Sequence, residues 1–252
     1  MKTILKQKKK NWDISFKMKK IHITSDGFVG GYLKKHFKEN LTENIDSADV
    51  VINTIGILKE GKYTYKDSHI KKVKELISKV KNKKLIHISA LGSKTVHPSR
   101  YHQTKALGEK IIKKKLQNYV ILKPSLILGE EQKLYKDLEK FKNFPIIFVP
   151  KMRVTPVEIE KLAAFIKRII KNDLKGEFKV CGEKIVSMKK IFKEAFKKFN
   201  KNPIIIEMPK WYFALMFPIL NRLNILSKNE YLMIEDNICK ETQCLIDLQM
   251  NF

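Results

Sequence analysis

Residues 84–105 read KLIHISALGSKTVHPSRYHQTK, and this stretch decides the fold. Its opening KLIHIS is a short apolar run that ends in the polar Ser89, the pattern of a buried strand. From Tyr101 to Lys115 apolar residues recur at three-to-four spacing, so a helix follows the strand. Similar runs stand on either side: KIHIT at 20–24, DVVIN at 49–53 and YVILK at 119–123. Helical patterns at 28–37 and 69–80 lie between them. Strands alternating with helices predict a doubly wound parallel α/β sheet, in which a ligand binds beyond the carboxyl ends of the strands. Those ends fall at Thr24-Ser25, Asn53, Ser89 and Lys123-Pro124, and would converge on one crevice.

The same stretch carries the chemistry. Ser89 precedes Tyr101 by twelve residues, and Tyr101 precedes Lys105 by four. Positions i and i+4 share a helix face, so Tyr101 and Lys105 are placed side by side, with Ser89 reaching them from the strand end. A phenol titrates near pH ~10, and a neighbouring ammonium favours the phenolate, which makes a general acid/base of the tyrosine. The serine hydroxyl would orient a carbonyl or hydroxyl. Upstream, TSDGFVGG sets Gly27 and Gly30 where a strand gives way to a helix. Small residues there let a phosphate approach backbone amides at the positive end of the helix.

Composition narrows the setting. At 252 residues the chain can bury a sizeable core. Its net charge of +26 would ordinarily point to nucleic acid, yet only Arg100, Arg153, Arg168 and Arg222 among 52 basic residues are arginine. Lysine spread over every segment decorates solvated faces, whereas base and phosphate recognition uses the arginine fork, so nucleic acid is argued against. Cys181, Cys239 and Cys244 form neither a CxxC nor an even framework, and a reducing, cytoplasmic compartment is the simplest setting. No metal-ligand pattern stands out. No apolar run approaches the ~20 residues of a membrane span. The segment KWYFALMFPILNRLNIL at 210–226 is densely apolar but interrupted by Asn221, Arg222 and Asn224 and kinked at Pro218. It predicts a helix packed on the fold or against a partner, or one lying on an anionic membrane surface.

Taken in order, SDGFVG, VINTIG, HISALGS, YHQTKALGE and ILKPSLILGE resemble the blocks of an extended or atypical short-chain dehydrogenase/reductase. RVTPVEIEKLAAFI and FKVCGEKIVSMKKIF resemble that family's later segments, and SKNEYLMIEDNI is similar to the tail of one branch. That branch holds the NAD(P)H-binding accessory subunit of respiratory complex I and its bacterial relatives. The resemblance covers roughly residues 19–240. It implies a triad of Ser89, Tyr101 and Lys105, and a cofactor, NAD or NADP, held by Thr24, Ser25, Gly27, Phe28, Val29, Gly30, Asn53 and Gly56. Lys105 would hold the nicotinamide ribose, while Lys123, Pro124 and Ser125 would lie near the nicotinamide ring. It also implies a basic extension at 1–18, a Rossmann-like nucleotide domain at 19–150 and a small α+β subdomain for substrate or partner at 151–252. His69 and His87 read as packing residues rather than proton carriers.

Two departures bear on function. Thr24-Ser25 stand where the family places its first glycine. Only residues 39–48 link the first helix to DVVIN, where a Rossmann half would supply a further strand and helix in roughly 30 residues. The second strand is therefore expected to be missing or vestigial, and with it the residue that reads the adenosine ribose. Three functions stay open on the sequence. One is an NAD(P)-binding accessory or assembly relative of complex I, meeting respiratory subunits or the inner face of a membrane through 211–226. Another is an active reductase, dehydrogenase or epimerase on a sugar nucleotide or lipid-linked carbonyl. The last is a scaffold that keeps the fold without chemistry.

Overall fold

A computed structural model describes residues 19–239, so the expected extension at 1–18 and Cys244 lie outside the described residues. The chain runs β1 (Ile21–Ile23), α1 (Phe28–His36), β2 (Val50–Asn53), α2 (Lys72–Val80), β3 (Lys84–Ile88), α3 (Arg100–Lys115) and β4 (Tyr119–Pro124). It continues β5 (Ile127–Leu128), α4 (Lys133–Glu139), β6 (Ile146–Pro150), β7 (Arg153–Val154), β8 (Val157–Glu158), α5 (Ile159–Lys171) and β9 (Gly176–Val180). Last come β10 (Val186–Ser187), α6 (Met188–Lys198), β11 (Ile204–Met208), α7 (Lys210–Arg222) and α8 (Lys228–Leu232).

Strands β1, β2, β3, β4 and β9 form one parallel sheet in that order. Every residue of β2 and β3 is buried, as expected of strands covered on both faces. One face is packed by α1 and α5 through Leu33, Leu162, Phe165, Ile166 and Ile169. The other is packed by α2 and α3 through Val73, Leu76, Val80 and Ile112. Helix α5 shows why the sequence folds this way. Its apolar residues Ile159, Leu162, Ala163, Ile166 and Ile170 recur at three-to-four spacing and all are buried, each large one worth about 1.5–3 kcal/mol. This is the doubly wound Rossmann-like layout.

The missing second strand leaves a trace. After α1, Leu41 makes one parallel bridge to Ile21, and Thr42 N donates to Ile21 O at 2.9 Å. Ile45 then packs into the opposite core cluster. The chain thus passes from one face of the sheet to the other around the outer edge of β1, with a single bridge in place of a strand.

The boundary expected at residue 150 does not separate two units. Residues 159–180 return to the main sheet as α5 and β9, because β4 needs a partner on its far side. The smaller unit is built from both flanks of that return. Parallel strands β6 and β11 are covered on one face by α4 and α6 through Leu138, Ile147, Val149, Ala195, Phe196 and Ile205. Two short pairs, β7 with β10 and β5 with β8, tie it to the sheet.

Candidate nucleotide-binding and active site

At the first turn, Gly27 is the N-cap of α1, and neither a side chain caps the helix nor an acid stands in its first turn. Its opening amides are thus left to an anion. Gly30 permits the close approach that builds the turn: a Cβ there would stand 2.0 Å from the carbonyl oxygen of Ser25. A Cβ on Gly27 would meet nothing within 4 Å, so that position borders open space. Thr24 and Ser25 stiffen the turn. Thr24 Oγ1 donates to Asn53 Oδ1 at 3.2 Å and accepts from Thr54 N, while Ser25 Oγ pairs with Thr54 Oγ1 at 2.9 Å. Asn53, fully buried, also reaches His87 Nδ1 at 2.9 Å. Phe28 packs on Gly129, and Val29 lies against the sheet core.

At the reacting end, Lys105 rises from α3 beneath the turn after β2. Its Nζ donates to Ile88 O at 3.0 Å and would stand 2.9 Å from a Cβ at Gly56. Burial lowers its pKa to about 8, with Glu109 opposing the shift. The Tyr101 ring is packed among His69 at 5.4 Å, Tyr65 at 6.0 Å and His102 at 5.0 Å. Burial pushes its phenol above the usual tyrosine value, with Tyr65 adding to the shift. The expected lysine-assisted lowering is therefore not what this arrangement produces, because burial penalises the phenolate. His69 has a partner on each ring nitrogen, Thr104 Oγ1 at 2.9 Å and Ile57 N at 3.3 Å, and burial drops its pKa to about 2. It is a neutral packing residue.

Ser89, at the end of β3, is buried, and its hydroxyl donates to Glu109 Oε1 at 2.5 Å. Glu109 is held in turn by Lys123 Nζ at 2.8 Å, and Lys123 also pairs with Glu177 at 2.8 Å. With its proton committed to a carboxylate, Ser89 is left as an acceptor. Pro124 O takes the amide of Leu91 at 2.8 Å. Ser125 Oγ donates to Asn237 Oδ1 at 2.7 Å, and Asn237 Nδ2 donates on to Leu91 O at 3.3 Å. A strap from Glu235 to Cys239 thus lies over the end of β4. It is fixed by Glu235 to His97 at 2.8 Å, by Asp236 to Arg153 at 2.7 Å and by a Cys181–Cys239 disulfide. The spacing of the cysteines gave no sign of this pairing, which arises because the strap carries Cys239 back to the end of β9.

The structure therefore places Ser89 and the Lys105 ammonium at the end of β3, Tyr101 in an aromatic cluster with Tyr65, His69 and His102, and Thr24, Ser25 and Asn53 at the ends of β1 and β2, with Gly27 and Gly30 in the turn that follows β1. Lys123 and Ser125 are engaged by Glu109 and Asn237, which the sequence reading missed. Glu109 is the next i+4 step after Tyr101 and Lys105 and could have been found there. Asn237 gives no local signal.

A model of NAD-binding proteins, described as male sterility protein, matches residues 13–164. The chain belongs to that family. Among curated relatives, it is 28% identical over 139 residues to NADH dehydrogenase (ubiquinone) 1 alpha subcomplex subunit 9, mitochondrial, of Dictyostelium discoideum, covering 52% of this chain and 38% of that protein. It is 22% identical to the mitochondrial NADH-ubiquinone oxidoreductase 40 kDa subunit of Neurospora crassa, covering 81% of this chain and 57% of that one. The chain thus spans less than two thirds of these relatives. In fold it is similar to the dTDP-4-dehydrorhamnose reductase of Bacillus anthracis in complex with NADP, with TM-score 0.69, 15% identity and coverage of 92% and 93%. It is also similar to the UDP-glucuronic acid 4-epimerase of Bacillus cereus in complex with NAD, with TM-score 0.61, 18% identity and coverage of 75% and 88%. It is an atypical, NAD(P)-binding short-chain dehydrogenase/reductase related to the complex I subunits. The uncapped start of α1 and the space at Gly27 fit a dinucleotide phosphate.

Proposed function

We propose that the chain holds a nicotinamide nucleotide in the crevice at the ends of β1 to β4 and serves as an accessory or assembly protein of a respiratory NADH dehydrogenase. The observation that carries the nucleotide half is the uncapped first turn of α1 over open space, at the same carboxyl end of the strands as the buried Lys105 ammonium. Gly27, Phe28, Val29 and Gly30 would offer backbone amides to the pyrophosphate, and Thr24, Ser25 and Asn53 keep that turn in place. Gly56 lets the Lys105 ammonium approach the turn after β2, and the donors that Ile88 O leaves over suit ribose hydroxyls. Lys123, Pro124 and Ser125 would border the nicotinamide, whose chemistry when bound is hydride transfer.

The accessory half is supported by the likeness to the two NADH dehydrogenase subunits and by the state of the reacting end. Tyr101 holds its proton strongly, and Ser89 offers no proton to a carbonyl while Glu109 takes it. Both arrangements suit binding better than turnover. Attachment to respiratory subunits or to the inner membrane face would run through residues 211–226.

The test is thermal stabilisation of the purified protein by NAD, NADH, NADP and NADPH. A ligand at 100-fold its Kd adds about 2.7 kcal/mol of stability. No shift with any of the four would remove the nucleotide half. A second reading, an active reductase or epimerase on a sugar nucleotide or lipid-linked carbonyl, is favoured by the presence of Ser89, Tyr101 and Lys105 at the triad's spacing. There Tyr101→Phe abolishes turnover and spares nucleotide binding; unchanged turnover sinks it.

A further inference from the structure

Helix α7 turns an apolar face to water. Trp211 and Leu215 are 67% and 70% exposed, and Ile219 and Leu223 continue the same i+4 row. Its opposite side, at Phe213, is buried, so the helix is apolar all round and its outer stripe lacks an intramolecular partner among the described residues. The β6–β11 ribbon repeats the pattern at sheet period. Ile147, Val149 and Ile205 face its core, while Ile146 and Phe148 stand beside Ile204 and Ile206 on the outer face, all four exposed. The two surfaces join, because the Phe148 and Tyr212 rings lie 5.7 Å apart.

Charge tells what covers this face. Segments 140–157 and 195–229, which contain ribbon and helix, hold one acid, Glu207, which pairs with the buried Val149 across the ribbon. They carry the exposed cations Lys151, Lys201, Lys210, Arg222 and Lys228 around the apolar residues. A protein partner would be matched by acids at fixed points, and its interface core would be rimmed by both signs of charge. A uniformly basic border around an aliphatic and aromatic centre instead suits a laterally uniform negative surface. Each Lys or Arg near such a surface contributes about 1 kcal/mol, and the apolar stripe adds its transfer from water.

We propose that the outer face of α7 and the β6–β11 ribbon docks on an anionic lipid bilayer, with Trp211, Leu215 and Ile219 entering the headgroup boundary and the lysines above the phosphates. No described helix is long and apolar enough to cross a membrane, so the attachment is peripheral. The docking is independent of nucleotide binding, and either can fail without the other.

The test is flotation of the full chain with phosphatidylcholine vesicles and with vesicles also containing phosphatidylglycerol. The expected result is flotation with the anionic vesicles alone, weakened by salt, and lowered about ten-fold or more in apparent affinity by Leu215→Glu with Ile219→Glu. Both residues are exposed, so the variant keeps the wild-type melting temperature, and it keeps the basic residues 1–18. Equal flotation of variant and wild type, or none with wild type, overturns the proposal. So does light scattering that shows a dimer which the variant dissolves, together with absent flotation, since the face would then belong to a second copy.

Discussion

Glu109 accepts from Ser89 and from Lys123 inside the protein. Exchange for Ala leaves a buried hydroxyl without its acceptor and a half-buried ammonium with Glu177 alone. The expected cost is about 2–4 kcal/mol in chemical denaturation, with Glu109→Gln costing less because it still accepts from Ser89. Lys105 makes a pH prediction. Its folded pKa of about 8 lies below the unfolded value, so above pH 8 the folded state releases a proton that the unfolded chain keeps. Stability contributed by this residue therefore rises with pH from about 8 to about 10, and Lys105→Met lacks that rise. Above about pH 10 the raised pKa of Tyr101 acts in the opposite sense, because the unfolded phenol then loses its proton first. Melting curves of both proteins across that range check the sign. At this scale the sequence was a partial guide. The i+4 ladder from Tyr101 through Lys105 shows in the letters, and Glu109 is its next rung. What the letters do not carry is desolvation, which decides that the phenol is raised rather than lowered.

At the level of elements, the turn between β1 and α1 separates two glycines that look alike in sequence. Gly30→Ala forces a Cβ into the Ser25 carbonyl, and a loss of about 1–3 kcal/mol is expected as α1 is pushed from the turn. Gly27→Ala meets nothing, and its φ of −64° suits any residue, so its melting temperature stays at wild type. Any loss of nucleotide affinity in Gly27→Ala is then a loss at the phosphate site alone, read by titration of the folded variant. The alternation of strands and helices was legible because the central strands β2 and β3 are buried on both faces and a helix such as α5 carries one apolar stripe. The shortened connection after α1 was legible from its length. The return of α5 and β9 to the sheet was not, since FKVCG reads equally well as an edge of a separate unit until β4 is seen to need a neighbour.

Across the whole molecule, contacts distant in sequence close the structure. Ser125 and Asn237 are 112 residues apart, and no local pattern announces such a pair. The disulfide spans 58 residues, so reduction is expected to cost about 2–4 kcal/mol, seen as a lower melting temperature that Cys181→Ser reproduces. If reduction left stability unchanged, the strap would be held by its hydrogen bonds and ion pairs alone. The bridge at Leu41 has a further effect at this scale. Loss of a strand turns β1 into the margin of the sheet, and an open margin recruits strands from other molecules. Thr42 N already takes the Ile21 carbonyl, and the His22 ring sits 3.1 Å from Thr42 O, so the start of that margin is occupied by the chain itself. Pairing of another strand at Ile21 would therefore have to displace Thr42 first.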